Sequence, residues 1–274
     1  MTLFIYRYEA MSTPCELKLY ARSQTEADRA AHAALRETKR LEKKYNYFAS
    51  DSYLSQINRR EISVLDFETQ AILKQSLRFY QLTHGIFDVT IGTLKQAYEQ
   101  SRSNQQLSKA VEGLDPYIGM HHLKIKHRKI YFDNPYTQID LGGFVKEFAV
   151  DRVAVLLKEH NISNALINYG GDMFAIGKKP DGNQFVVGIK NPENPDEVAR
   201  FVSIEDQAIT TSASYERGYC IGGENFSHII STQIQTSDTR SVSVISPSCI
   251  QSGVFSTALM IKEDLAVPYE YIFV

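Results

Sequence analysis

The chain has 274 residues, of which 43% are hydrophobic and 23% charged, with a formal net charge of −2 and a pI near 6.4. That is enough apolar material for one large domain or two closely packed subdomains, and a near-neutral balance without runs of like charge leaves no electrostatic footprint for nucleic acid or an anionic membrane. Cys15, Cys220 and Cys249 have no metal-ligand spacing and are odd in number, which argues against a disulfide framework, and no stretch approaches the ~20 apolar residues of a membrane span.

At the start, Met1 to Tyr8 lacks the basic end, apolar centre and small-residue cleavage site of a signal peptide, so the sequence as written reads as cytoplasmic. An exported protein trimmed of its leader would read the same. Leu3 to Glu9 and Cys15 to Ala21 are predicted strands joined by a turn at Met11-Ser12-Thr13-Pro14. Thr25 to Lys44 is rich in Ala, Glu, Arg and Leu and free of Gly and Pro, which predicts a long helix running into the aromatic cluster Tyr45 to Phe48. Phe48 to Asn58 is polar and turn-rich, with Asp51-Ser52 placed to cap a short helix through Leu54 and Ile57. Asp66 can cap a further helix reaching His84, and Gly85 is placed to stop it.

Phe87 to Gly92 is expected to be irregular chain with Asp88 as a lone acid among apolar residues, for which the plain role is a turn or cap. Residues 95 to 118 are predicted as a helix with surface loops, and Leu123 to Phe132 as a hairpin around the basic turn Lys126 to Lys129. Thr137 to Asp172 is the stretch around which the chain is organised. Gln138 to Leu141 reads as the end of a strand, Gly142-Gly143 as a turn, and Phe144 to His160 as an amphipathic helix. Val145, Phe148, Ala149, Val153 and Leu156 form its apolar stripe, with Lys146 and Glu147 off it. Glycines at a helix N-terminus let an anion approach unpaired backbone N–H groups, so this is a candidate phosphate cradle as well as an ordinary packing turn.

Asn164 to Asn168 is a predicted buried strand, turning at Tyr169-Gly170-Gly171-Asp172 into Met173 to Gly177. Further strands are predicted at Phe185 to Lys190, Arg200 to Ile204, Phe226 to Ile230 and Arg240 to Ile245, with a final helix from Ser248 to Met260. Helices and strands mix without a βαβ rhythm, which predicts an α+β fold.

Several of these segments, in this order, resemble the ApbE family, the FAD:protein FMN transferases. The resemblance is carried by Met11 to Pro14 (where the family has Met-Gly-Thr), FASDSYLSQIN at 48–58, GIFDVTIGTL at 85–94, DLGGFVKEFAVD at 140–151, NYGGD at 168–172, TTSASYER at 210–217 and His228-Ile229-Ile230. It covers about residues 8 to 262. It implies mixed sheets with packed helices in an ApbE-like, T-fold-like architecture, with an FAD cleft. The implied activity is protein flavinylation, in which FMN passes from FAD to a threonine hydroxyl of an acceptor flavoprotein, AMP leaves and magnesium assists. Carried over by position, Met11, Phe48, Ile86, Phe87, Asp88, Asp140 and Lys146 would line the FAD site, His228 would act as base or position the diphosphate, and Gly143 and Thr257 would hold the metal. Strand histidines, first-turn lysines and turn-building hydroxyls such as Ser212 and Tyr215 also occur for structural reasons alone.

The sequence departs from the family at two places. After His-Ile-Ile the family continues with Asp-Pro and then Thr-Gly, whereas this chain reads Ser231-Thr232-Gln233-Ile234-Gln235. The family's magnesium-binding Asp corresponds to Gly253, and the second Asp of some members to Ser256. Mg²⁺ favours hard oxygen ligands with at least one carboxylate, so Asp172 and Asp238 are the acids that could compensate. Two expectations follow: an active transferase, or an FAD-binding relative without transferase activity. A Gly253→Asp substitution is expected to restore metal-dependent activity if the second holds.

Overall fold

In a computed structural model the described residues are 1–194, 196–214, 218–227 (225–227 as backbone), 229–230 and 240–274. The chain opens with strands β1 (Thr2–Ala10) and β2 (Thr13–Ala21) and helices α1 (Gln24–Tyr45), α2 (Tyr53–Asn58) and α3 (Phe67–Leu82). A 3₁₀ turn at Val89–Ile91 leads into α4 (Gly92–Gln100) and α5 (Asn104–Leu114), followed by the small hairpin β3 (Leu123–Lys126) and β4 (Lys129–Phe132). Next come α6 (Gly142–Glu159), β5 (Ala165–Tyr169), β6 (Asp172–Ile176), β7 (Phe185–Lys190), β8 (Val198–Ile204) and β9 (Ala208–Ala213). The chain ends with β10 (Gly218–Ile221), β11 (Glu224–Ser227), β12 (Ser241–Ser246), α7 (Cys249–Ile261) and β13 (Glu270–Phe273). This is an α+β fold.

The centre is a seven-stranded sheet of order β1-β2-β5-β6-β9-β12-β13, and each of its pairings is antiparallel. Both faces are covered, which is why its inner strands read as continuous apolar runs. On β5, Ala165, Ile167 and Tyr169 join the main core with α1, α6 and α7, while Leu166 points the other way. There it meets Phe185, Val187 and Ile189 of the β7–β8 hairpin, which lies over the opposite face.

Local chemistry sets the helix ends. Ser23 accepts a hydrogen bond from the Glu26 N–H at 3.2 Å, and Asp66 accepts one from the Thr69 N–H at 2.8 Å, each satisfying a first-turn donor. Ala27, Ala30, Ala31 and Ala34 give α1 a thin buried face on which α6 and the sheet pack closely.

Three expectations are corrected. Gln138 to Leu141 belongs to no strand: the Ile139 N–H donates to Asn58 Oδ1 and Asn58 Nδ2 donates back to Ile139 O, both at 2.8 Å, while the Gln138 N–H donates to Thr93 Oγ1 at 2.9 Å. Gly142 and Gly143 are the first residues of α6 itself, with Gly143 off helical geometry at φ −88°, ψ 16°. The Phe87 to Gly92 segment is more ordered than expected, because Asp88 caps its 3₁₀ turn by accepting from the Thr90 N–H at 2.8 Å and the Thr90 hydroxyl at 2.7 Å. No helix among the described residues is long and apolar enough to cross a membrane.

Candidate active site

A cleft of about 560 Å³ opens where the end of α1, the start of α6, the Phe87–Ile91 segment and the ends of β6 and β9 converge. Two turns form one lip. Met11 and Ser12 join β1 to β2 with φ of 53° and 56°, and the Met11 N–H donates to the Glu42 carboxylate of α1. Gly170, at φ +61°, joins β5 to β6 so close to the first turn that a Cβ there would stand 1.9 Å from Thr13 Oγ1. Only glycine meets both demands.

One end of the cleft is aromatic and cationic. Phe48 leaves 66% of its surface exposed and meets Tyr47 edge-on, with ring centroids 5.5 Å apart. Lys95 Nζ lies 4.5 Å from the centre of the Phe48 ring and 4.9 Å from that of Tyr47, and donates to Asp140 Oδ2 at 2.7 Å. Asp140 Oδ1 accepts from the Gly142 N–H at 2.9 Å, so the carboxylate ties α4 to the first turn of α6. Ile86 and Phe87 are buried beside it, and burial pushes the Asp88 carboxyl above the usual range.

The other end is acidic. Lys146 Nζ is 2.6 Å from Asp172 Oδ2 on β6. Glu147, expected off the apolar stripe of α6, is instead buried with only 6% of its surface exposed. Burial, and then the Asp172 charge, push its carboxyl up to about 8. Ser212 Oγ of β9 lies 2.8 Å from Ser256 Oγ and 3.2 Å from Thr257 Oγ1 of α7, a run of hydroxyls beside these acids. Burial holds the Cys249 thiol well above its ordinary value, so it is a protonated packing group.

Met11, Phe48, Ile86, Phe87, Asp88, Asp140, Lys146, Gly143 and Thr257 therefore all border one cleft, together with Asp172 and Ser212. His228, Tyr215 and Asp238 lie outside the described residues. Sequence reasoning missed Lys95 and Glu147. Glu147 was open to detection, because Phe144, Glu147, Val150 and Ala154 follow the helical spacing of three and four on a helix buried on several sides. Lys95 carried no local signal, since its partners Asp140 and Phe48 are distant in sequence.

The model of the ApbE family matches residues 11–267. The chain belongs to the ApbE family. Among ApbE relatives, an FAD:protein FMN transferase from Chlamydia pneumoniae is 29% identical over 273 residues, which is 95% of this chain and 82% of that one. The fold is that of an ApbE protein from Thermotoga maritima, with a TM-score of 0.88 at 23% identity, covering 100% of this chain and 94% of that one. It is also that of the flavin transferase ApbE from Vibrio cholerae, with a TM-score of 0.80 at 24% identity and coverage of 95% and 87%.

Proposed function

We propose that this chain is an FAD:protein FMN transferase, which takes FAD as its flavin substrate and transfers FMN to a threonine hydroxyl of an acceptor flavoprotein. The observation that carries the reading is the single cleft bordered by an aromatic shelf at Phe48 and a lysine–acid–hydroxyl end at Lys146, Asp172 and Ser212. A dinucleotide needs both: flat surfaces for its rings and charge control around its pyrophosphate.

In the proposed reaction the threonine oxygen bonds to the FMN phosphorus, the phosphoanhydride P–O bond breaks, and AMP leaves with that oxygen. The hydroxyl proton goes to a base, for which His228 is the candidate. Phe48 and Tyr47 stack the rings, Lys95 and Asp140 fix the edge of the site, and Lys146 presents positive charge toward the phosphates. The hydroxyls of Ser212 and Thr257 hold position through their mutual hydrogen bonds.

Magnesium, when bound, would neutralise developing charge on the phosphate oxygens. The residues present fit a hard cation: Gly143 and Thr257 border the cleft, and a buried Glu147 oxygen has no hydrogen-bond partner among the described residues.

The test is to incubate purified protein with FAD, MgCl₂ and a threonine-bearing acceptor, then follow AMP release and the acceptor's mass. AMP together with an FMN-sized mass gain on the acceptor is the expected result; neither product under any divalent-ion condition sinks the reading. Gly253, without a carboxylate, favours a second reading in which FAD binds but is not cleaved. FAD-dependent thermal stabilisation without AMP would support that alternative.

A further inference from the structure

The missing carboxylate on α7 has a replacement on α6. Helices α6 and α7 pack side by side, and Gly253 leaves a gap between them that the Glu147 side chain fills. A Cβ added at Gly253 would stand 2.6 Å from Glu147 Cγ and 3.1 Å from both Cδ and Oε1. A buried carboxyl in such a place is costly unless something answers its charge. Glu147 Oε2 is buried without a hydrogen-bond partner among the described residues, and the Asp172 carboxylate, only 1% exposed, faces the same group. Lys146 supplies a single positive charge and spends its 2.6 Å contact on Asp172 Oδ2. Two carboxyl groups and one ammonium therefore meet at the inner end of the cleft, with Glu147 keeping its proton at neutral pH until a cation takes its place.

We propose that Glu147 and Asp172 form the carboxylate part of a divalent-cation site, with Glu147 supplying from α6 the charge that position 253 lacks on α7. The neighbouring donors are oxygens, namely the Thr257 and Ser212 hydroxyls, and the nearby Cys249 is held as a thiol, so the site suits a hard ion such as Mg²⁺ or Mn²⁺. This deepens the transferase reading and rests on it for its purpose. Its physical content stands apart from catalysis: a pocket that binds the ion through Glu147.

The experiment titrates the full chain with Mn²⁺, with and without FAD, and reads free Mn²⁺ by its EPR signal and stability by thermal melting. Wild type should take up Mn²⁺, and Glu147→Gln should weaken that uptake about tenfold or more. The metal-free melting temperature of Glu147→Gln at neutral pH should be no lower than that of wild type, because the amide keeps the shape of a buried carboxyl that is already uncharged there. Gly253→Asp alone should melt lower without gaining Mn²⁺ affinity, since its side chain collides with Glu147. The exchange Glu147→Gly with Gly253→Asp should recover both stability and uptake. Unchanged Mn²⁺ affinity in Glu147→Gln, or no uptake by wild type in either condition, overturns the proposal. So does a stable Gly253→Asp protein that binds Mn²⁺ more tightly than wild type. Mn²⁺ uptake through Glu147 without any AMP release would instead sink the transferase reading and leave the cation site standing.

Discussion

Phe48 separates binding from stability more cleanly than any other residue of the cleft. Two-thirds of its surface is exposed, so the fold gains little from its burial, while its ring stands over Lys95 at the mouth of the site. Phe48→Ala should therefore leave the melting temperature nearly unchanged. It should weaken FAD binding roughly 3- to 10-fold, the worth of one lost stacking contact. Flavin-fluorescence titration beside a thermal melt checks both halves; a large drop in stability would show that the ring belongs to the core. Residue identities at this site were legible where they fell inside recognisable motifs, as with Asp88 and Asp140. They were not legible where the partner is far away in the chain: Lys95 finds Asp140 across 45 residues, and Asn58 satisfies the Ile139 backbone across 81. That last pairing is also why Gln138 to Leu141 was misread, since an alternating pattern predicts a strand only when another strand takes up its hydrogen bonds. Gly253 looked like a simple loss in the sequence because the side chain that fills its space comes from a different helix.

At the scale of elements, α7 is held by a neighbour rather than by its own sequence alone. Ser248 accepts from the Gln251 N–H at 3.3 Å, but Asp151, on α6, accepts from the Cys249 N–H at 2.7 Å and the Ile250 N–H at 3.1 Å. This carboxylate caps the helix from outside and fixes the α6–α7 junction that positions Glu147 and Thr257. Asp151→Ala should cost about 1–2 kcal/mol, read by urea denaturation. The same residue sets a pH dependence. Burial raises its carboxyl from 3.8 to about 6, so between those values the folded state holds a proton that the unfolded state has released. Its contribution to stability is thus greatest below pH 3.8 and is lost as pH rises toward 6. Asp151→Asn cannot titrate, so the difference in stability between wild type and variant should move against wild type over that window and level off above it. A difference that is flat from pH 4 to 7 would mean that Asp151 is ionised throughout. Helices α1 and α3 were readable because each declares its own start, at Ser23 and Asp66, whereas α6 was started late because its N-cap Leu141 makes no side-chain hydrogen bond, and β13 was missed because a four-residue edge strand declares neither end nor period.

For the whole molecule, the sheet divides two tasks between its faces. The cleft draws on the side packed by α1, α6 and α7, while Phe185, Val187 and Ile189 of the β7–β8 hairpin cover the other. Phe185 is 3% exposed, so Phe185→Ala should cost about 3–5 kcal/mol of stability through the cavity it leaves. Because no described residue of that hairpin borders the cleft, FAD affinity should stay within the error of the titration. The converse holds for ligand. The cleft walls come from positions as distant as Met11, Phe48, Asp88, Lys146, Ser212 and Thr257, which exist as one surface only in the folded chain. A ligand that needs them together binds the native state and not the unfolded one, and mass action then stabilises the fold. With FAD at a hundredfold excess over its Kd, the gain is about 2.7 kcal/mol, roughly 5–10 °C in melting temperature for a protein of this size. The rise should persist in Phe185→Ala, starting from a lower baseline, and should shrink in Phe48→Ala at the same FAD concentration. If FAD leaves the melting temperature of all three proteins unmoved, the cleft is not a flavin site; if the rise vanishes only in Phe185→Ala, the two faces of the sheet are not independent.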